Sequence, residues 1–327
     1  MSKYKEIHGG KVQNFTNNPD NPIDGQVWYN ETAGNWKVSS STTSGSWSSG
    51  GNLNTARKRL ASSGNGIQTA TIAFGGDTDP PHVALTESYN GSAWTELSDL
   101  NTARDTLAGA GTATAALAFG GRPGPVQAAT ETWNGSSWTN VSSMNTARER
   151  LAGTGTTTSA LANGGVITTN SALVESWNGS SWTETTDLNL ARNTLGNAGA
   201  DNTSVLAFGG NVDGGGGGRK AETESWNGSS WTEISNLNDG RSEIAGSGIA
   251  ANALAAGGDS PGVVALTEQW SGSSWSEDSD MSTARYGLTG SGTGTLAVVM
   301  GGGDPIKNST EEWLGTGAVI IETITTS

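Results

Sequence analysis

Six arginines, Arg57, Arg104, Arg148, Arg192, Arg241 and Arg285, recur at intervals of 47, 44, 44, 49 and 44 residues. A glutamate follows each one: Glu87, Glu131, Glu175, Glu224, Glu268 and Glu311. A guanidinium meets a carboxylate through two parallel N–H donors, so the pattern offers two chemistries. The arginines could ring a channel mouth and take an anionic ligand. Alternatively, each pairs with its glutamate and nearby carbonyls and locks the fold. A site used for binding is seldom copied six times unchanged, so the structural reading is favoured.

Aromatic residues keep the same rhythm. Tyr89, Trp133, Trp177, Trp226, Trp270 and Trp313 are followed five residues later by Trp94, Trp138, Trp182, Trp231 and Trp275, with Ala318 in the sixth place. Paired indoles could stack on sugars. Their regularity favours packing between neighbouring elements, where an aromatic ring removes a large apolar area from water.

Other chemistry is sparse. The only histidines are His8 and His82, and there is no cysteine. That excludes a disulfide framework, a thiolate metal site and a cysteine nucleophile. A Ser-His-Asp triad would have to use His82, and no nucleophile elbow accompanies it. Asp77 and Asp79 form a lone D-x-D, a weak Ca2+ signal. No metal, no cofactor and no enzymatic activity are expected.

The elements that position these residues follow from the repeat. Each unit opens on a string close to NTAR. It continues through an apolar run to Gly-Gly, as at Gly120-Gly121, and then to a Glu-containing stretch ending in the aromatic. In the second unit the pattern predicts strands over 106–109, 115–119, 129–133 and 138–141. The intervening NGSS is a hairpin-turn signal; it also makes the sequons at Asn90, Asn134, Asn178 and Asn227 turn chemistry. Four short strands every 45 residues or so is the period of a propeller blade.

These motifs resemble the Kelch repeat over about residues 54–324. The resemblance implies an all-β, six-bladed Kelch-type β-propeller at 54–327. Some Kelch-like propellers are copper oxidases, which need a cysteine cross-link absent here. Residues 318–324 read as the fourth strand of the last unit. Trp47, seven residues before Asn54 as Trp94 is before Asn101, mimics a fourth-strand Trp. It could cap the first unit or compete with 318–324 for the last.

The segments after Gly-Gly differ in every unit: DTDPPHV, RPGPVQ, VITTNS, NVDGGGGGRK, DSPGVV and GDPIKN. Variable loops on a constant scaffold are where specificity sits, although unconstrained drift gives the same pattern. Their polar residues, Asp77, Asp79, His82, Arg122, Asn170, Asp213, Arg219, Lys220, Asp259 and Lys307, are the candidate binding residues. They are expected on one rim, opposite the NGSS turns.

Residues 1–40 differ in composition and carry a hairpin pattern, VWYNETAGNWKV, over 27–38. This stretch resembles the short N-terminal β modules of phage tail-fibre and other virion proteins. The resemblance implies an anchor to other virion proteins, with Trp28, Tyr29 and Trp36 as anchoring residues. Residues 41–53, rich in Ser, Gly and Thr, read as a flexible linker.

The net charge of −14 across 327 residues disfavours phosphate backbones, so no nucleic-acid partner is expected. No signal peptide or membrane-spanning run is visible. The expectation is a bacteriophage virion protein, made in the host cytoplasm and present in several copies, whose propeller recognises a host-surface glycan or protein. An intracellular Kelch adaptor is the first alternative and a propeller-scaffold enzyme the second.

Overall fold

Stretches such as AALAF and TETW combine small, β-branched and aromatic residues, which fit a pleated sheet covered on both faces. In the computed structural model, residues 13–19, 22–213 and 217–324 are described. His8 and glycines 214–216 lie outside the described residues. Among the described residues there is no helix, and the strands form seven four-stranded sheets. The chain divides into two compact units, 45–315 and 1–44 with 316–327.

In unit 45–315 each repeat builds one antiparallel sheet. The second comprises Ala108–Thr112, Ala115–Phe119, Thr130–Trp133 and Trp138–Val141. The second and fourth strands coincide with expectation. The first begins two residues late, because Thr106 has φ +51° and cannot belong to a ladder. Ala116, Leu117, Ala118 and Phe119 are all completely buried.

The tryptophans join neighbouring sheets. Trp138 lies across the ladder from Trp133 and edge-on to Phe74 of the preceding repeat, with ring centroids 4.9 Å apart. Its Nε1 donates to Thr86 Oγ1 of that repeat at 3.0 Å. Trp182 repeats the arrangement with Phe119 and Thr130. Buried in this way, the indoles have no face to offer a sugar.

The sixth sheet corrects the expectation for the last unit. Its fourth strand is Ser46–Ser49, not residues 318–324. Trp47 pairs with Trp313, and its Nε1 donates to Thr267 Oγ1 of the fifth repeat at 3.0 Å, the contact that Trp138 makes with Thr86. An indole at this position can bridge two sheets; the methyl group of Ala318 has neither the reach nor the N–H donor to do so. Residues 46–49, expected within a linker, are therefore a strand, and the repeat unit spans 45–315 rather than 54–327.

Tyr89 ties the first repeat to the sixth, donating to Glu312 Oε1 at 2.7 Å. Burial and the adjoining carboxylate push its phenol up from 10.0 to about 12. The neutral form is thus favoured by folding. Its contribution is complete below about pH 10 and is lost as pH rises through 12. Thermal melts across this range should show a steeper fall for the parent than for Tyr89→Phe. Parallel curves would remove Tyr89 from the account.

In the other unit, Val27–Asn30 and Asn35–Ser41 form the expected hairpin, with Val27 opposite Val38. Asn30 Oδ1 accepts from Ala33 N–H at 2.7 Å and shapes the turn. Gln13–Phe15 adds in parallel to the first strand, and Val319–Thr323 adds antiparallel to the second. Trp28 is fully buried, Tyr29 meets Trp36 edge-on at 5.3 Å, and Trp36 remains exposed.

Candidate functional site

The six repeat arginines are completely buried, and each is paired with the glutamate of its own repeat. Arg104 is representative. Nη1 donates to Gly120 O and Ala129 O, and Nη2 donates to Glu131 Oε1 at 3.1 Å. Its backbone belongs to the preceding repeat: the N–H donates to Val83 O, and the carbonyl accepts from Gly76 N–H. One residue thus joins two sheets. Burial lowers its guanidinium below the ordinary value, against the opposing field of Glu131. Paired and inaccessible, these arginines form no channel-mouth cation ring. The arrangement also explains the Gly-Gly signature. Gly75 has φ +66°, and a Cβ there would lie 2.7 Å from Arg104 O.

Two residues beyond each arginine lie Arg59, Thr106, Arg150, Thr194, Glu243 and Gly287, all at positive φ. Their backbones are linked head to tail. Thr106 N–H donates to Arg59 O, Arg150 to Thr106, Thr194 to Arg150, Glu243 to Thr194, Gly287 to Glu243, and Arg59 to Gly287. The series returns to its start. Beside it, the residue after each arginine bridges to the first residue of its repeat's variable loop, as Lys58 does to Asp77 and Asp105 to Arg122. The variable loops therefore surround this level. At the NGSS turns, by contrast, Asn134 Oδ1 accepts from Ser136 and Ser137 N–H; the turn closes on itself.

A polar cleft of about 850 Å3 opens on the loop side between the third and fifth repeats. Arg150, Asn170, Asn193, Asp213, Glu243 and Asp259 are among its lining residues. Most of its charges are already matched. Glu149 lies 3.1 Å from Arg122, Glu243 3.4 Å from Arg59, and Asp259 pairs with Arg219. Asn170 accepts from Asn193 Nδ2 and donates to Asn211 O. Arg150 differs: among the described residues its guanidinium has no hydrogen-bond or ion-pair partner, and its Nε is buried. Among the described residues, Lys307 is the other cation without a polar partner for its side chain.

The sequence-predicted residues do not form one site. Asn170, Asp213 and Asp259 meet at the cleft, with Arg219 behind Asp259. Lys220 pairs with Glu222 at 3.5 Å, so the positive charge expected from Arg122, Arg219 and Lys220 is spent internally. Asp77 and His82 gather around Asp105, while Asp79 turns towards Lys58. Sequence reasoning missed Asp105, Glu149, Arg150, Asn193 and Glu243. Their signal was present: the two positions after the repeat arginine vary from unit to unit, while the NTAR string before them hardly changes.

An all-β, propeller-like protein with a polar cleft among its variable loops is the class that fold and site define. No protein-family model matches the chain, and no curated protein matches it. Among solved structures it is similar to one described as "Structure of YjhT", with a TM-score of 0.66 and 12% identity. The match covers 83% of this chain and 99% of that one. At that identity the likeness concerns fold alone.

Proposed function

We propose that the six sheets of residues 45–315 are the blades of a closed, Kelch-type propeller serving as a binding head, not an enzyme. The head-to-tail backbone series and the return of Ser46–Ser49 to the sixth sheet support closure. The carrying observation for binding is the cleft, where the unmatched Arg150 guanidinium and the linked Asn170 and Asn193 amides line one groove. Such groups suit a hydroxyl-rich or carbonyl-rich ligand, a host-surface glycan or protein. Residues 1–40 would anchor the chain to other virion proteins of a bacteriophage. Support for that placement is the resemblance carried by 27–38, together with the exposed Trp36.

Two measurements test the reading. Immunogold labelling of purified particles should find the protein on the virion; its absence there would end the phage assignment. Arg150→Ser with Asn170→Ala should weaken adsorption to host cells about 10- to 100-fold, the worth of hydrogen bonds to a charged donor. Turn variants such as Asn134→Ala should adsorb normally. The reverse pattern would place the ligand on the other face.

A further inference from the structure

The junction between the first and second repeats gathers Asp77, His82 and Asp105, with one donor atom from each within 4.8 Å of the others. Asp105 is completely buried. Its Oδ1 lies 3.3 Å from Arg122 Nε, but its Oδ2 has no hydrogen-bond partner. His82 Nδ1 is likewise buried and without a hydrogen bond, 3.5 Å from Asp105 Oδ1. Two unpartnered buried polar atoms in one cluster, Asp105 Oδ2 and His82 Nδ1, need an explanation, since buried polar groups are nearly always satisfied.

The other junctions act as internal controls. In the second, Arg122 occupies the place of Asp77 and supplies a cation to Glu149, the counterpart of Asp105. In the third, the amides of Asn170 and Asn193 bond to each other. In the fourth, Arg219 fills the place of His82 and pairs outward with Asp259. In the fifth, Val263 and Tyr286 stand where the first has His82 and Asp105. Among the described residues, only the first junction brings two carboxylates and an imidazole together.

We propose that Asp77, His82 and Asp105 hold one divalent transition-metal cation, with zinc as the type, at this junction. One imidazole and two carboxylates form a borderline donor set that suits such an ion better than Ca2+. Donors about 2.0–2.2 Å from a common tetrahedral zinc lie about 3.3–3.6 Å from one another, so from their present separations of up to 4.8 Å the side chains need close by at most about 1.5 Å. Asp105 Oδ2 faces the ion while Oδ1 keeps Arg122. Three protein ligands leave a fourth position for water or a ligand's oxygen. The ion would fasten the loop 77–83 to the second repeat and preset this part of the rim. It departs from the sequence-based expectation of no metal because variation after the repeat arginine marks Asp105 as unit-specific but does not bring it beside Asp77 and His82; the fold does that.

Titration calorimetry of the full-length, EDTA-stripped chain with zinc chloride provides the test. One zinc per chain is expected, together with a rise in melting temperature at saturating zinc. His82→Ala should weaken binding at least tenfold and abolish the rise, and Asp77→Asn should weaken it as well. Metal-free melting of each variant reports folding separately, and His82 is a half-buried loop residue whose loss should leave it unchanged. His8→Ala should bind zinc as the parent does. Absence of binding, binding that survives His82→Ala, or binding lost with His8→Ala would each overturn the site.

Discussion

Replacing Arg148 with methionine is expected to destabilise the protein by about 3–5 kcal/mol, the scale for removing one partner of a buried ion pair. Arg148 and Glu175 are both completely buried, 3.0 Å apart. The substitution would leave the Glu175 carboxylate in an apolar surround, with only Asn145 and Thr146 still donating to it. It would also strand the carbonyl of Gly164 and take from the Leu173 carbonyl one of its two donors, leaving it Gly164 N–H. Pairing Arg148→Met with Glu175→Gln should restore part of the loss, because no uncompensated charge then remains. Chemical denaturation of the two single variants and the double variant gives the coupling energy. A single-variant loss below about 1 kcal/mol would mean that water reaches Glu175 and that the pair is not the lock described here.

Removing Ser46–Ser49 should be as damaging, although this stretch reads as a linker. A chain of residues 45–315 is expected to unfold in one cooperative transition. A chain of 51–315 should lose on the order of 3–5 kcal/mol, comparable to deletion of a core aromatic. It lacks the strand paired with Thr310–Leu314, the Trp47 contacts to Thr267 and Ser279, and the ring packed 5.0 Å from Trp313. Trp313 would then lie at an open sheet edge, so the shorter chain should also associate with itself. Equal melting temperatures for the two chains would show that the sixth sheet does not need Ser46–Ser49 for its stability.

The repeat was legible because its signals are local. Asn134-Gly135 specifies a tight turn, and 138–141 was placed correctly because the strand starts directly after it. The apolar run 115–119 was equally clear, being covered on both faces. The first strand was misplaced at 106–109 because Thr106 is a residue whose type gives no sign of positive φ. That conformation is imposed by the backbone series through Arg59 and Arg150. Arg122, Arg219 and Lys220 were correctly noticed as scarce positive charge, but their carboxylate partners lie in other segments or had no reason to be singled out.

The sequence by itself determined the number of repeats, the order of strands within each, the turn chemistry and the Arg–Glu rhythm, all of which depend on residues within one period of about 45. Tertiary structure alone decided which strand completes the sixth sheet, which cations stay unmatched and which acids converge. Those outcomes join residues far apart in the chain. Trp47 meets Trp313, Tyr89 meets Glu312, and Arg59 meets Glu243. Such pairs arise because each sheet can cover its faces only against neighbouring sheets, which need not be its neighbours in sequence.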